Sequence, residues 1–302
     1  MEARERFLGV NSIKFYSRFR SDDDCYKYIA DIKWQEGYVC KKCGHTHYCK
    51  GEKPFSRRCA KCKYDESPTS GTMFDKIKFP LLLAFHIAFK ISTKKKGMSS
   101  LELSEEYELR QKTCWAFKWK IQKAMKSSCL YPLKGQVHVD EFFVGGEEEQ
   151  RRGRSHGKKK LVQVALEVLP GKGVGRAYAR VIDNASSQSL RPLFEEHISK
   201  DAEIITDEWN GYLPIKKDYP NLVQRKSDDG NHFPDIHIMN VKGWLRGIHH
   251  HCTKEQLQGY LDEYHFRYNR RNNMDTIFDV LIKRMVLSKP IRLQNNKLNS
   301  AV

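Results

Sequence analysis

The sequence predicts an α/β protein in which a small metal-binding ribbon and a helical region precede a sheet flanked by helices. Three observations support this order. Two Cys-x-x-Cys pairs lie within residues 40–62, apolar residues recur at helical spacing between about residues 80 and 125, and from residue 137 the pattern becomes that of strands. We therefore divide the 302 residues into an N-terminal helix and ribbon at 1–75, a helix-turn-helix-like region at 76–131, a sheet domain at 132–290 and a tail at 291–302.

The composition indicates a soluble globular chain with a polyanionic partner. Hydrophobic residues make up 39% and charged residues 30%, and 54 Lys and Arg against 37 Asp and Glu give a net charge of +17, spread over most of the sequence. No basic start followed by an apolar run precedes the first domain, and the nine cysteines are an odd number, so we expect a cytoplasmic, nucleoid-associated protein. The longest apolar stretch, at 79–89, is too short to span a bilayer, and we expect no membrane partner.

The ribbon is predicted from four cysteines that form two pairs separated by fifteen residues. They are Cys40, Cys43, Cys59 and Cys62. This spacing is typical of a structural zinc site, in which two knuckles supply four thiolates to one tetrahedral ion. Basic residues surround the cysteines and favour contact with nucleic acid. A pair of disulfides, or a ribbon that only braces its neighbours, is the alternative. His45, His47 and Cys49 also lie in the ribbon, but the paired cysteines already complete four ligands.

The region after the ribbon is predicted to be helical. Apolar spacing indicates a helix at about 80–91, a break at 94–97, a short helix from Ser99 or Ser100 and a longer helix at about 113–125. The last helix and its start carry the candidate DNA-binding lysines Lys112, Lys118, Lys120 and Lys123. This pattern resembles a helix-turn-helix with a basic recognition helix. The alternative is a helical linker whose lysines are only solvated.

The sheet domain is predicted from strands at 137–144, 161–169 and 173–182, a helix at about 186–198 and a short buried strand at 202–206. The polar segment between the first two strands, at 145–160, is predicted to be a long charged hairpin loop. Its arginines, Arg151, Arg152 and Arg154, are candidates to lie along a phosphate backbone.

Two acidic residues of this domain are candidates for a catalytic site. Asp140 lies within the first strand, where burying an unpaired carboxylate costs several kcal/mol by typical estimates. Asp207 follows the strand at 202–206 and lies at the carboxyl edge, where ligand sites of α/β sheets collect. Two such carboxylates can share divalent ions and support in-line phosphoryl displacement. Caps or salt-bridge partners are the alternative reading of both acids.

Two helices follow, one with Ile238, Val241 and Leu245 at helical spacing and one that opens with a capping box at Thr253 and Gln256. The end of the second helix carries three candidate DNA-binding residues, Arg267, Arg270 and Arg271. The run 249–252 between the helices is rich in histidine. Because adjacent side chains point apart, we favour a polar loop there over a metal cluster.

Four strings carry a resemblance to a known family: VHVDEFFVGG at 137–146, TDEW at 206–209, NVKGWL at 240–245 and YHFRYNRR at 264–271. In this order they resemble bacterial insertion-sequence transposases of the ISXO-like kind. Members of that family have an N-terminal zinc ribbon and an RNase H-like mixed sheet, and they are similar to the Merlin group of DNA transposons. The resemblance covers about 15–271 and therefore includes the ribbon.

The resemblance implies that Asp140 and Asp207 are the first two members of a triad that binds Mg²⁺ or Mn²⁺. For the third position the chain offers Asn240, with Lys242 close by, as in one branch of the family. An amide oxygen can ligate a metal but brings no charge, so weaker metal binding is expected than with Glu. In a helix, Lys242 would lie about 200° around the axis from Asn240, which directs it to DNA phosphate instead.

The resemblance also implies an activity. A protein of this family would bind the terminal inverted repeats of its element in double-stranded DNA, cut the ends with metal assistance and join them to target DNA. A homodimer or larger assembly is expected because two ends must be brought together. The rivals are a domesticated, inactive DNA-binding regulator and a metal-dependent nuclease or resolvase of the same fold.

Overall fold

The computed structural model describes residues 5–145, 159–171, 173–226, 233–249 and 252–292. Their contacts divide the chain into two compact units. The first unit combines residues up to Met125 with a C-terminal segment that begins at Asn272, and the second unit runs without interruption from Lys126 to Arg271.

The N-terminal part of the first unit is helical, with the three short strands of the ribbon inserted. Its elements are α1 (Ser12–Arg18), α2 (Asp22–Lys33), β1 (Tyr48–Lys50), β2 (Arg57–Cys59), β3 (Asp65–Glu66), α3 (Leu81–Thr93), α4 (Ser100–Tyr107) and α5 (Gln111–Met125). Capping boxes fix the starts of α2, through Ser21 and Asp24, and of α4, through Ser99 and Glu102. Glu108, with a φ of 52°, ends α4 in the left-handed region, and α5 begins three residues later. Within the described residues no helix combines the length and apolarity needed to cross a membrane.

The second unit is a five-stranded sheet covered by helices. Its elements are β4 (Gln136–Val144), β5 (Lys160–Leu169), β6 (Gly173–Ile182), α6 (Ser187–His197), β7 (Glu203–Thr206), β8 (Leu222–Gln224), α7 (Phe233–Ile248) and α8 (Lys254–Tyr268). The strands lie in the order β6-β5-β4-β7-β8. Antiparallel pairing joins β4, β5 and β6, and parallel pairing joins β4, β7 and β8. This mixed sheet confirms the predicted α/β, RNase H-like fold class.

The two faces of the sheet pack against different helices because successive side chains of a strand point to opposite sides. On β4, Val137 and Val139 belong to the core that includes Leu190 and Phe194 of α6. Phe142 belongs to the other core, with Val241 of α7 and residues of α8. Alternation therefore puts Asp140 on the α7 face and Glu141 on the α6 face.

The C-terminal helix α9 (Ile277–Leu287) packs against α2, α3 and α5 of the first unit. Its Phe278 lies in an aromatic cluster, with ring centroids 5.2 Å from Phe15 and 5.8 Å from Phe85. Asp279 is buried and accepts hydrogen bonds from the Tyr28 hydroxyl at 2.5 Å and from Arg6 Nε at 2.8 Å. The division made on sequence puts this segment in 132–290, whereas its core contacts are with the N-terminal helices.

Candidate active site and zinc ribbon

The four cysteines of the ribbon converge on one point. Their Sγ atoms all lie within 4.8 Å of one another, and the pairs Cys40–Cys62 and Cys43–Cys59 are each 3.6 Å apart. A tetrahedral zinc ion with Zn–S bonds of about 2.3 Å holds its sulfur atoms about 3.8 Å apart, so the spacing fits this ion. It is far longer than a disulfide bond of about 2.05 Å. The arrangement supports a structural Zn²⁺ and rules against the disulfide alternative.

Neighbouring groups shift the pKa values of two ribbon thiols in opposite directions. Although burial opposes it, backbone N–H groups of Lys42 and Cys43 lower the pKa of the Cys40 thiol to about 6. Against the lowering effect of the Tyr64 backbone N–H, burial and the other three cysteines raise the pKa of Cys62 to about 12. Four thiolates at this separation repel one another, and a bound zinc ion removes that repulsion.

The ribbon is tied to α2 by charged and aromatic contacts. Glu66 is fully buried and forms ion pairs with Lys33 and Lys41, whose ammonium nitrogens each lie 2.8 Å from its Oε1. The Arg57 guanidinium lies between two rings, 4.4 Å from the Trp34 centroid and 4.1 Å from that of Tyr48. Several basic side chains of the ribbon region are therefore part of its packing.

The two predicted acids are brought together by the sheet. The parallel register of β4 and β7 pairs His138 with Ile205. Asp140 lies two residues beyond His138 on β4, and Asp207 lies two residues beyond Ile205, one residue past the end of β7. Because paired strands lie about 4.8 Å apart, this register directs the two acids to neighbouring positions. Asp140 Oδ1 accepts the Glu141 backbone N–H at 2.7 Å, and Asp207 Oδ1 accepts that of Trp209 at 3.2 Å. Both acids are half-buried at the carboxyl edge of the sheet.

A cleft of about 520 Å³ opens at this edge. Its lining includes Asp140, Glu141, Asn184, Trp209, Asn210 and Gly211. Trp209 Nε1 donates a hydrogen bond to the Ala185 carbonyl at 2.6 Å, and Gln224 Nε2 donates one to the Trp209 carbonyl at 2.9 Å. A Cβ at position 211 would come within 2.4 Å of the Ala185 oxygen, which explains the glycine there. The loops after β6 and β7 are thus fixed against each other beside the two acids.

Glu141 and Tyr212 form a polar contact below the cleft that sequence reasoning did not single out. The fully buried Tyr212 donates a hydrogen bond from its hydroxyl to Glu141 Oε1. Burial, followed by the charges of Glu141, Asp207 and Asp140, raises the pKa of Tyr212 well above its usual value. All three carboxylates therefore act on one ring. The sequence signal that could have identified this contact is the second acid of the Asp140-Glu141 pair.

Helix α7 separates the other two predicted site residues, as helical geometry requires. Its buried stripe of Ile238, Val241 and Leu245 faces the sheet. Asn240 and Lys242 lie on opposite flanks of that stripe, and Asn240 is exposed. The Lys242 ammonium lies 5.5 Å from the centroid of Phe142, two residues beyond Asp140 on the same strand face. Of the two, Lys242 is the residue with a defined contact on the strand of Asp140.

The carboxylate pair fits Mg²⁺ or Mn²⁺ in its donor chemistry, since hard divalent ions take oxygen ligands. Among the described residues, groups of three close His, Cys or acidic ligand atoms occur elsewhere, and neither Asp140 nor Asp207 belongs to one. An ion held by this pair would complete its shell with water and substrate phosphate, which is the common pattern for Mg²⁺.

Most of the predicted basic DNA contacts of α5 have partners inside the first unit. Lys118 is buried and donates to the Met98 carbonyl, while Lys120 donates to the Met73 carbonyl at 3.4 Å. Lys112 is exposed, and Lys123 lies 5.5 Å from the Trp119 ring on a half-exposed part of the helix. Lys112 and Lys123 are thus the residues of this set that α5 leaves at its surface.

The arginines at the end of α8 are likewise engaged. Arg267 is buried, with its guanidinium 2.7 Å from Glu263 and over the Trp244 ring. Arg270 donates to the Phe266 carbonyl at 2.9 Å, and Arg271 donates to the Gly175 carbonyl at 3.0 Å. These contacts hold the helix to itself and to β6.

Some predictions fall outside the described residues. Arg151, Arg152 and Arg154 lie there, as do His250, His251 and nearly all of the tail. His249 is described, and its ring stacks on Tyr260 at 3.6 Å.

The RNase H-like sheet, the pair of carboxylates and the four-cysteine ribbon ahead of them define the class of zinc-ribbon transposases. Comparison with known families agrees. Residues 20–65 match the transposase zinc-ribbon domain, and residues 132–269 match the ISXO2-like transposase domain. Together the two matches span more than half of the chain, in the expected order. The chain belongs to the ISXO2-like insertion-sequence transposases that carry an N-terminal zinc ribbon.

Similar solved structures include a pre-cleavage Mos1 transpososome, the Mos1 mariner paired end complex with Mn and the Mos1 strand transfer complex. Sequence identity to them is 10%, 10% and 11%, and the TM-scores are 0.30, 0.27 and 0.28. The matches cover 65%, 64% and 67% of this chain and 76%, 76% and 78% of those chains. Among curated proteins, none matches the chain significantly.

Proposed function

We propose that this transposase binds the terminal inverted repeats of its own element, cleaves the DNA there with the help of divalent metal ions and joins the ends to target DNA. The observation that carries the proposal is the pairing of β4 with β7, which directs Asp140 and Asp207 to neighbouring positions. Asp140 lines a cleft of about 520 Å³, which would give a DNA backbone access to that carboxylate.

The two carboxylates would hold Mg²⁺ or Mn²⁺ through their oxygen atoms. Such ions, when bound, lower the pKa of an attacking water or hydroxyl and stabilise the leaving oxygen of a phosphodiester. The role of the protein is to hold both carboxylates in position. Backbone N–H groups of Glu141 and Trp209 donate to Asp140 and Asp207 and orient the two side chains.

Asn240 and Lys242 take separate roles in this proposal. The 200° that separates them on α7 prevents both from reaching the same ion. Lys242, whose ammonium lies above Phe142 on the strand face of Asp140, is proposed to contact a DNA phosphate next to the metal site. Asn240 remains the candidate third ligand, through its amide oxygen.

The proposed DNA contacts are distributed over both units. In the first unit they are Lys112 and Lys123, which α5 leaves at its surface, together with basic residues of the ribbon. In the second unit we propose Arg151, Arg152 and Arg154 from the loop that follows β4. The net charge of +17 supports an affinity that depends mostly on phosphate contacts and falls steeply with salt. A homodimer or larger assembly is proposed because two ends must be synapsed.

A cleavage and strand-transfer assay with end-containing DNA and Mg²⁺ or Mn²⁺ tests this function. Asp140→Asn and Asp207→Asn are expected to reduce cleavage by a factor of about 10³ or more while DNA binding stays within about twofold, because they remove metal ligands and leave basic contacts intact. Asn240→Ala should raise the metal concentration needed for half-maximal cleavage. Lys242→Gln should weaken DNA binding at unchanged metal dependence.

The matched control is Asp201→Asn, which removes an exposed carboxylate from the turn before β7. It should cleave like the wild type. Joined products support transposition, nicks without joining indicate a nuclease, and binding without cutting indicates an inactive regulator. Cleavage by either Asp140→Asn or Asp207→Asn at the wild-type rate would show that the site is elsewhere.

A further inference from the structure

A second group of possible metal ligands lies in the sheet unit, and it includes neither Asp140 nor Asp207. Cys129 precedes β4, and Glu196 and His197 end α6. One ligand atom from each lies within 4.8 Å of the other two. We propose that these three residues bind a borderline-soft divalent cation of the Zn²⁺ class, with water at the fourth position.

The backbone holds the three residues together. The Leu133 N–H donates to the His197 carbonyl at 2.7 Å, and the Ser199 N–H donates to the Leu133 carbonyl at 2.9 Å. The Tyr178 hydroxyl donates to the Tyr131 carbonyl at 3.0 Å. Three hydrogen bonds thus anchor the segment after Cys129 to the end of α6 and to β6, which fixes the backbone around the cluster.

His197 has the surroundings of a ligand. Its side chain is 8% exposed, and its ring stacks on Tyr178 at 4.2 Å with an interplanar angle of 12°. Nδ1 is buried and has no hydrogen-bond partner among the described residues, while Nε2 lies 3.7 Å from Glu196 Oε2. A fixed imidazole whose Nε2 lies on the side of a carboxylate oxygen suits metal coordination.

The charges around the cluster are mixed. Arg180 Nη1 is 2.8 Å from Glu196 Oε1 and orients the carboxylate, leaving Oε2 on the side of His197. The cationic groups of Lys126 and Arg180 are close enough to act on Cys129. Glu196 and a Cys129 thiolate together would neutralise a divalent ion.

The distances require a small contraction. An ion with ligands at 2.0–2.3 Å holds their donor atoms about 3.3–3.8 Å apart, compared with the upper limit of 4.8 Å here. Rotation of the exposed Cys129 side chain can supply that difference of about 1 Å. A thiolate and an imidazole favour Zn²⁺ over Mg²⁺, which separates this site chemically from the acids at the cleft.

Adding Co²⁺ to full-length protein that carries one zinc ion per chain, in the ribbon, tests the site, because a thiolate ligand gives Co²⁺ an intense near-ultraviolet charge-transfer band. The pair Asp140 and Asp207 has no sulfur and cannot produce it. We expect the band of a single thiolate at one Co²⁺ per chain, with no zinc released to a chromophoric indicator. Cys129→Ser, a change at an exposed position, should abolish the band, and His197→Gln should weaken Co²⁺ binding roughly tenfold or more.

The matched control is Cys49→Ser, which removes another exposed thiol and should leave the band unchanged. Absence of the band in the wild type would overturn the proposal. Its persistence in Cys129→Ser, or its appearance only with release of ribbon zinc, would do the same. A folded Cys129→Ser protein with unchanged circular dichroism excludes unfolding as the cause of a lost band.

Discussion

Tyr212 connects the core of the sheet unit to the cleft. It is completely buried between α6 and the sheet, yet its hydroxyl reaches the carboxylate of Glu141, whose neighbour along β4 is Asp140. A hydrogen bond to a half-buried carboxylate orients that side chain. The Tyr212 hydroxyl therefore holds the Glu141 carboxylate in place beside the catalytic candidate Asp140.

Tyr212→Phe should lower the free energy of unfolding by about 1–3 kcal/mol, because Glu141 then loses a hydrogen bond inside the protein. Urea unfolding measures this loss. Tyr219→Phe is the matched control, since Tyr219 packs against Phe194 in the same core and its hydroxyl has no hydrogen bond to a described residue. Equal losses from the two variants would mean that the Tyr212 hydroxyl has no special role.

The strand position of Asp140 could be predicted from the sequence, whereas the contacts made by individual basic residues could not. An acid inside an apolar strand, such as Asp140, interrupts the apolar pattern and can be recognised from the sequence alone. Lys118 and Lys123 are indistinguishable by type and lie on one helix, but the first is buried against Met98 and the second lies near Trp119. That difference depends on which neighbour covers each side of α5, which no local pattern encodes.

At the scale of elements, α7 and α8 are joined by a buried histidine pair. His265 Nδ1 donates to the Leu261 carbonyl at 2.7 Å, so its Nε2 accepts from His237 Nε2 at 3.1 Å. Burial, followed by the charges of His265 and Arg271, lowers the pKa of His237 to about 2. Burial also lowers the pKa of His265 to about 4. Tyr264 and Tyr268 of α8 face the same pair.

Acid is therefore expected to destabilise the contact between α7 and α8. In the unfolded chain both histidines titrate near pH 6.5, above their folded pKa values, so stability is complete above pH 6.5 and falls as the pH decreases toward 4. The slope is up to about 1.4 kcal/mol per pH unit for each histidine. This pH dependence can be measured by hydrogen exchange of α8 amides between pH 7 and pH 4.5. Each rate is compared with that of an unstructured peptide at the same pH. His237→Gln should flatten the dependence, while the exposed-site control His47→Gln should retain it.

The ribbon is a second element-scale unit whose stability depends on one ion. Its three strands have three residues or fewer each, too short to be stable without the four-cysteine centre. Removing zinc with a chelator should increase hydrogen exchange across 40–66 and leave that of β4 and β5 unchanged. Adding zinc back should restore protection. A parallel increase in β4 would contradict the assignment of this zinc to the ribbon.

Helices and their caps followed well from the sequence because the signals are local. The predicted capping box at Thr253 and Gln256 is present, and the periodicity of residues 113–125 matches α5 within two residues. The short strand β8 was not predicted, since three residues carry no usable alternation. The pairing of β4 with β7 brings Asp140 and Asp207 toward each other. It links residues far apart in the chain, so it could not be predicted from local sequence patterns.

At the scale of the whole molecule, the C-terminal helix completes the core of the N-terminal unit. An amphipathic stripe predicts that α9 packs on something, but not on which unit, and this is why the sequence division assigned it to the sheet domain. Its Phe278 and Asp279 are buried among residues of α1, α2 and α3. The sheet unit is then an insertion between two parts of the first unit.

Phe278→Ala should destabilise the first unit by about 3–5 kcal/mol, because it leaves a cavity in the aromatic cluster. Hydrogen exchange should rise in α2 and α3 and stay constant in β4 and β5. Leu287→Ala on the same helix is the control, since Leu287 is 62% exposed and its loss should be nearly neutral. Equal deprotection of β5 by Phe278→Ala would refute the division into two units.

The position of α9 has a consequence for the synthesis of the protein. The ribosome makes the N-terminal helices and the ribbon first, but their core lacks its last helix until residue 287 has been translated. The sheet unit is continuous and has all its strands and helices once Arg271 has emerged. The sheet unit, which carries the proposed catalytic site, can therefore fold before the first unit is complete. A translation product that stops before residue 277 would contain the whole sheet unit but lack the helix that completes the core of the first unit.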